Sequence, residues 1–489
     1  MMKINFEKYK DSVKACWIGK NIGGTMGGPY EGKREMLDIQ GFSTPENTVL
    51  PNDDLDLQIV WLAAVERIGA KNIKASTLGE FWLSYISPYW NEYGRGKTNM
   101  KMGILPALSG DAFNDWKDSN GGWIRTEIWA CLLPAAPHIA ARYAYEDASV
   151  DHGSGEGTIA AMFTAAVESA AFAEKDIIKL INIGLSIIPA ESRTAKSVQY
   201  VIDCYKEGKD YKDVRDEILE LNKDIGTGWF EAPSNIAYAV IGLLWGEGDF
   251  KKSMIYAINC GDDTDCTGGF VGAVMGIIGG TKIIPEDWSK HIGDEIVTVA
   301  IATGVFYGIP KTCTELTDRV VALAPSALFD NGINAQFIDG KDDIDKDKML
   351  EKNKDLEIYY PYIPYSYRID FNYASAIICY DGNPTIAPNE TKRVTVRFIN
   401  NIPVYGNGQY FLKFRFLCDD EFSVKGPKTA LISRWSVFDV DFNHDCPYTD
   451  VVFEITAKEK VLPQNRIVIE AVADGRVTVG YIPLIFLGE

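Results

Sequence analysis

The feature of this sequence that most constrains its fold is a change in hydrophobic periodicity. From about Val13 to Ala324 no segment sustains strict apolar/polar alternation, and long apolar-rich stretches alternate with Gly-rich or Pro-rich loops. Glu156 to Ala173 is so rich in alanine that a helix packed closely among others is the expected reading; Asp54 to Ile68 and Asn235 to Trp245 carry similar patterns. After Pro325 the pattern has period two. Arg393 to Ile399, Tyr410 to Leu417 and Val451 to Ala457 alternate, as do Arg466 to Val472 and Arg476 to Tyr481 on either side of Asp474-Gly475, a dipeptide that favours a tight hairpin turn. A helical pattern will not serve as a strand, so a multidomain chain is expected. Its parts are an all-α domain over residues 1–330, a charged linker over 331–356 and an all-β sandwich over 357–489. The tyrosine-rich stretch Tyr359 to Tyr367 reads as packing surface between domains.

Size and charge narrow the function. At 489 residues with 46% hydrophobic content, the chain can bury more than one core. A net charge of -19 repels phosphate backbones and anionic membranes, so no nucleic-acid partner is expected. An anionic substrate would need metal ions to supply local positive charge. No run of about 18 apolar residues suggests a membrane span. Met1 to Ala15 lacks the pattern of a secretory signal, and the nine scattered cysteines form no C-x-x-C pair. Reduced thiols and cytoplasmic residence are the expectation. Oligomeric state stays open.

Two acidic segments carry the chemistry. Asn52-Asp53-Asp54-Leu55-Asp56 precedes an apolar helical run, and a helix cap needs only one carboxylate where this segment offers three. Asp262-Asp263-Thr264-Asp265-Cys266-Thr267 leads into a segment with Gly268, Gly272 and Gly276 at four-residue spacing, a helix face that another helix can approach closely. Carboxylates crowded at a tightly packed helix mouth repel one another, and cations remove that repulsion. Oxygen donors of this kind suit Mg²⁺, Mn²⁺ or Ca²⁺. Two such entrances, about 210 residues apart, point to a shared two-metal centre.

The chain from about Val13 to Trp288 also resembles the ADP-ribosylglycohydrolase family, which includes the dinitrogenase reductase-activating glycohydrolase. The resemblance rests on ordered motifs: Gly23-Gly24-Thr25-Met26-Gly27-Gly28-Pro29-Tyr30-Glu31, Asn52-Asp53-Asp54, Asn120-Gly121-Gly122-Trp123-Ile124-Arg125, the histidine-bearing Asp147 to His152, and Asp263-Thr264-Asp265-Cys266. It implies an all-helical fold with two Mg²⁺ ions in a cleft, Mn²⁺ being an alternative, and hydrolysis of the bond between ribose C1 and a leaving group. Carried over residue by residue, the metal motifs fall on Asn52, Asp53 and Asp54 and on Asp263, Asp265 and Cys266, with Thr267 a further candidate ligand. Leu55 stands where the family carries a threonine, and Cys266, a soft ligand, stands at a second such position.

The resemblance assigns catalysis to Glu31, Asp54 and Asp265: a metal-cluster carboxylate takes the proton of the attacking water, and Glu31 assists the leaving group. Gly121 and Gly122 would admit substrate to the backbone, His152 sits in a Gly/Ser-rich loop where it touches substrate or a residue that does, and Trp229 offers an aromatic wall. Arg125 reads as the ion-pair partner of an acid such as Glu127. The leading expectation is a metal-dependent hydrolase of ADP-ribosyl or related ribosyl or furanosyl glycosides. A glycoside hydrolase on non-nucleotide sugars and a non-hydrolysing ADP-ribose or sugar binder are the alternatives.

Overall fold

A computed structural model describes residues 1–302, 304–351, 363–400, 410–432, 448–476 and 479–489. Tyr359, Tyr360, Tyr362, Cys446, Val477, Thr478 and the end of the charged run after residue 351 lie outside the described residues. The chain divides into two compact units, Met1–Lys97 with Asn114–Asn353, and Thr98–Phe113 with Lys354–Glu489.

The first unit is helical. Asn5 caps its first helix, Phe6–Gly27, by accepting from the Lys8 amide. The alanine-rich segment forms the helix Glu156–Ala171, whose small side chains are almost all buried, and Ala232–Trp245 is likewise a buried helix. The small-residue stripe of Thr264–Gly279 finds its partner in Phe6–Gly27. Gly19 lies against Gly272, Gly23 against Gly268 and Gly27 against Thr264, so the two helices run antiparallel. A Cβ at Gly23 would stand 2.1 Å from the Gly268 carbonyl carbon. Two short strands depart from the all-helical pattern: β1 (Met2–Asn5) pairs in parallel with β2 (Ala335–Ile338). Just beyond β2, Asp342 accepts from the Asn5 amide at 2.7 Å and meets Lys8 at 2.5 Å, so the start of the acidic run is held on this unit.

The second unit is a β-sandwich of two five-stranded sheets. One joins β3 (Ser366–Asp370), β4 (Ala374–Tyr380), β6 (Thr391–Asn400), β10 (Tyr448–Ala457) and β8 (Phe422–Lys425). The other joins β5 (Thr385–Ile386), β12 (Val479–Gly488), β11 (Gln464–Ala473), β7 (Tyr410–Leu417) and β9 (Thr429–Ile432). All pairings within them are antiparallel except β5 with β12, and Val472 opposite Val479 sets the hairpin register. Alternate residues of each strand face a common core, where Phe414 of the second sheet lies 5.6 Å from Phe398 and 5.4 Å from Phe453 of the first. Ile104, Leu108 and Ala112 from Thr98–Phe113 join that core. Among the described residues no helix is long and apolar enough to cross a membrane.

Candidate metal centre

The close antiparallel contact of Phe6–Gly27 with Thr264–Gly279 fixes the site. At its end the Thr264 hydroxyl donates to the Gly27 carbonyl at 2.9 Å. The turn Gly28–Tyr30 then delivers Glu31. Its loop is clamped: the Gly32 amide donates to Asp262 O at 2.8 Å, and the Asp262 amide donates to Lys33 O at 2.6 Å. Glu31 is thereby held beside the N-terminus of the second acidic helix.

The first acidic segment opens the helix Asp53–Ile68. Asn52 is its N-cap, with Oδ1 accepting from the Asp54 amide at 2.8 Å. Helical geometry then separates the three acids. Asp56 points away and accepts from the Val299 and Ala300 amides at 2.6 and 2.5 Å, anchoring a loop. Asp53 accepts from the Tyr93 hydroxyl at 2.8 Å. Asp54, wholly buried, lies 3.2 Å from the buried Lys20 ammonium, which also meets Glu127 at 2.7 Å and donates to Ile124 O. Leu55, at the position where the family carries threonine, is buried in the helical core.

In the second cluster Asn120 Nδ2 donates to Asp263 at 2.7 Å, and the Trp123 indole holds Asn120 by donating to its Oδ1 at 2.8 Å. Arg125 does pair with acids, but with Asp147 at 2.9 Å and Asp151 at 2.7 Å rather than with Glu127, which Lys20 engages instead. A guanidinium reaches two carboxylates across one helix, Pro137–His152, and so also locks the Asn120 turn through the Gly121 carbonyl.

These segments bring the two clusters together. Ligand atoms of Asp54, Asp265 and Cys266 lie within 4.8 Å of one another, as do those of Glu31, Asp263 and Asp265. Asp265 belongs to both groups. Buried Oδ1 atoms of Asp263 and Asp265 have no hydrogen-bond donor among the described residues, a costly state that a cation relieves. Electrostatics agree. Repulsion from Asp265, burial and Asp53 push the Glu31 carboxyl up to about 8. Burial, then Asp265, raises Asp263 well above the ordinary carboxylate range; burial also raises Asp53 and Asp54, against the pull of Tyr93 on the first and Lys20 on the second. The oxygen-rich groups fit a hard divalent ion. Cys266 does not join them as an oxygen donor; its thiol faces Asp54 Oδ1 at 3.5 Å.

Above the acids opens a cavity of about 410 Å³ whose lining includes Glu31, Asp53, Asp54, Asp263, Asp265 and Cys266, with Trp90, Glu92, Tyr93, Gly121 and Phe230. The other site residues singled out from sequence do not line it. Thr267 is buried, its hydroxyl donating to Thr264 O at 3.3 Å. Gly122 packs on Gly157, where a Cβ would stand 2.8 Å from the carbonyl oxygen. His152 is not in a loop: it ends the helix Pro137–His152, wholly buried between Asp151 at 3.0 Å and Ser119 at 3.2 Å, and Ser119 lines the cavity. Trp229 is exposed with Arg34 over its ring, and its neighbour Phe230 lines the cavity. Sequence reasoning passed over Lys20, Trp90, Glu92 and Tyr93. Only Lys20 carried a signal, a lone cation within the apolar run Ala15 to Ile22.

A family model described as ADP-ribosylglycohydrolase matches residues 5–324. Among solved structures the chain is similar to one described as an ADP-ribosylglycohydrolase-related protein complex, with 18% identity, covering 66% of this chain and 98% of that one at a TM-score of 0.44. It is also similar, at 9% identity and a TM-score of 0.19, to a FixG-related protein from Vibrio parahaemolyticus, covering 24% of this chain and 99% of that one. No curated protein matches.

Proposed function

Since the chain belongs to the ADP-ribosylglycohydrolase family, we propose that it is a metal-dependent hydrolase that cleaves the C1 glycosidic bond of a ribosyl or related furanosyl substrate at a dinuclear Mg²⁺ centre. The observation that carries this reading is the sharing of Asp265 by two groups of ligand atoms. Glu31, Asp263 and Asp265 would hold one ion; Asp54 and Asp265, beside the Cys266 thiol and with Asp53 on the same cavity wall as a further candidate ligand, would hold the other. When bound, the ions supply Lewis acidity, activating a water and polarising the sugar diol. The chain's own residues do the rest. Lys20 holds Asp54 in place and opposes the effect of burial on its carboxyl, Tyr93 orients Asp53, and Asn120 orients Asp263. Asp54 or Asp265 takes the water's proton, and Glu31, at the open end of the cluster, serves the departing group. The anionic surroundings favour the oxocarbenium character expected at C1. Every described cysteine is a free thiol, which supports a reducing, cytoplasmic setting.

Asp53→Ala and Asp265→Ala should each abolish both hydrolysis and the thermal stabilisation conferred by Mg²⁺. Full activity in the double variant would end this reading.

A further inference from the structure

Six carboxyl side chains line the cavity, Glu31, Asp53, Asp54, Glu92, Asp263 and Asp265, and among the described residues no lysine, arginine or histidine lines it. Two divalent ions offset four of those charges, so the loaded site still offers no net positive charge to a second anionic group. Phosphate recognition ordinarily rests on guanidinium forks, ammonium groups or free backbone amides. Of the nearby cations, Lys20 is held by Asp54 and Glu127, and Arg34, 3.8 Å from Asp262 and over the Trp229 ring, is not among the lining residues. Gly121, the backbone position that could approach a phosphate, has the Glu92 carboxylate over it, since a Cβ there would stand 2.2 Å from Glu92 Oε1.

The same wall is built for hydroxyls. Trp90, 48% exposed, stacks on Tyr93 at 6.2 Å, and the Tyr93 hydroxyl bonds Asp53, so an aromatic surface leads from the cavity mouth to the acids. Between them Glu92 is only 7% exposed, lines the cavity, and has an Oε2 with no hydrogen-bond partner among the described residues. A buried polar atom in that state calls for a partner, and a sugar hydroxyl, which both donates and accepts, supplies one whether the carboxyl is ionised or not. An aromatic face beside a carboxyl group matches the C–H face and the hydroxyl edge of a sugar.

We infer that the substrate is a non-phosphorylated glycoside, seated against Trp90 with its hydroxyls on Glu92, and that the site disfavours ADP-ribose. This rests on the hydrolase reading of the same centre and narrows its substrate class.

Calorimetric titration of the full chain in saturating Mg²⁺ tests it, using a panel of methyl pentofuranosides against ADP-ribose. At least one neutral furanoside should bind about tenfold or more tightly than ADP-ribose, and Trp90→Ala and Glu92→Gln should each weaken that furanoside about tenfold. Mn²⁺ binding to both variants should match the wild type, which reports that the folded centre is intact. ADP-ribose binding more tightly than every furanoside, or both variants binding the furanoside as the wild type does, overturns the inference alone. A wild-type chain that binds no Mn²⁺ overturns the hydrolase reading and this inference with it.

Discussion

The Lys20 ammonium lies 3.2 Å from Asp54 and 2.7 Å from Glu127, and all three side chains are buried. Burial alone would discharge the lysine, but Glu127 and Asp54 together raise its pKa above the ordinary lysine value. The three side chains form a buried cluster beneath the metal centre, and removing the lysine strands its two carboxyl partners in a low-dielectric setting. Lys20→Met should lower unfolding free energy by about 3–5 kcal/mol. Denaturant unfolding of the full chain checks this, and a loss within about 0.5 kcal/mol would contradict it.

The raised carboxyls make a signed prediction for the metal-free protein. A carboxyl whose folded pKa exceeds its unfolded value binds more protons folded than unfolded, so stability is fully present below the unfolded pKa and is lost as pH rises through the folded one. Glu31 marks the window, from its ordinary 4.5 to about 8, and Asp53, Asp54 and Asp263 shift in the same direction. With metal chelated, Tm should fall across that window, and saturating Mg²⁺ should remove most of the fall. A metal-free Tm that rises with pH from 5 to 8 (about the span of the Glu31 shift) would be the wrong sign.

The helix contact that delivers Glu31 tolerates no side chain at Gly23, where a Cβ would meet Gly268 backbone at 2.1 Å, whereas a Cβ at Gly41 meets nothing within 4 Å. Gly23→Ala should destabilise by about 1–3 kcal/mol through forced separation of the helices. It should also weaken Mn²⁺ binding, because Glu31 and Asp263 move apart with them. Gly41→Ala should change stability by less than about 0.5 kcal/mol. Parallel melts and Mn²⁺ titrations of the two variants measure the contrast.

Much of this architecture is legible in the amino-acid order. The small-residue stripe at Gly268, Gly272 and Gly276 announces a close helix partner, and the period-two runs announce their strands, because both patterns are written by local burial. Repulsion within each acidic segment announces a cation, while the meeting of the two segments is implied only by the family resemblance. Other features are set by tertiary partners that no local pattern names. The β1–β2 pairing joins strands more than 300 residues apart, each only four residues long. Asp56 belongs to the first acidic run, yet its position opposite Asp54 on the helix turns it toward Val299 and Ala300. His152 looks like a loop residue because Gly153, Ser154 and Gly155 follow it, although the helix ends only there. Glu92 and Trp90 carry no sequence signature at all; their relation to the acids exists only once Tyr93 is placed against Asp53.

The central claim is that two cations share Asp265, and anomalous diffraction from Mn²⁺-soaked crystals of the full chain tests it most directly. The account predicts two anomalous peaks, both in contact with the Asp265 carboxylate, one also touching Glu31 and Asp263 and the other Asp54. No peak at this site, a single peak, or peaks that do not touch Asp265 would contradict it.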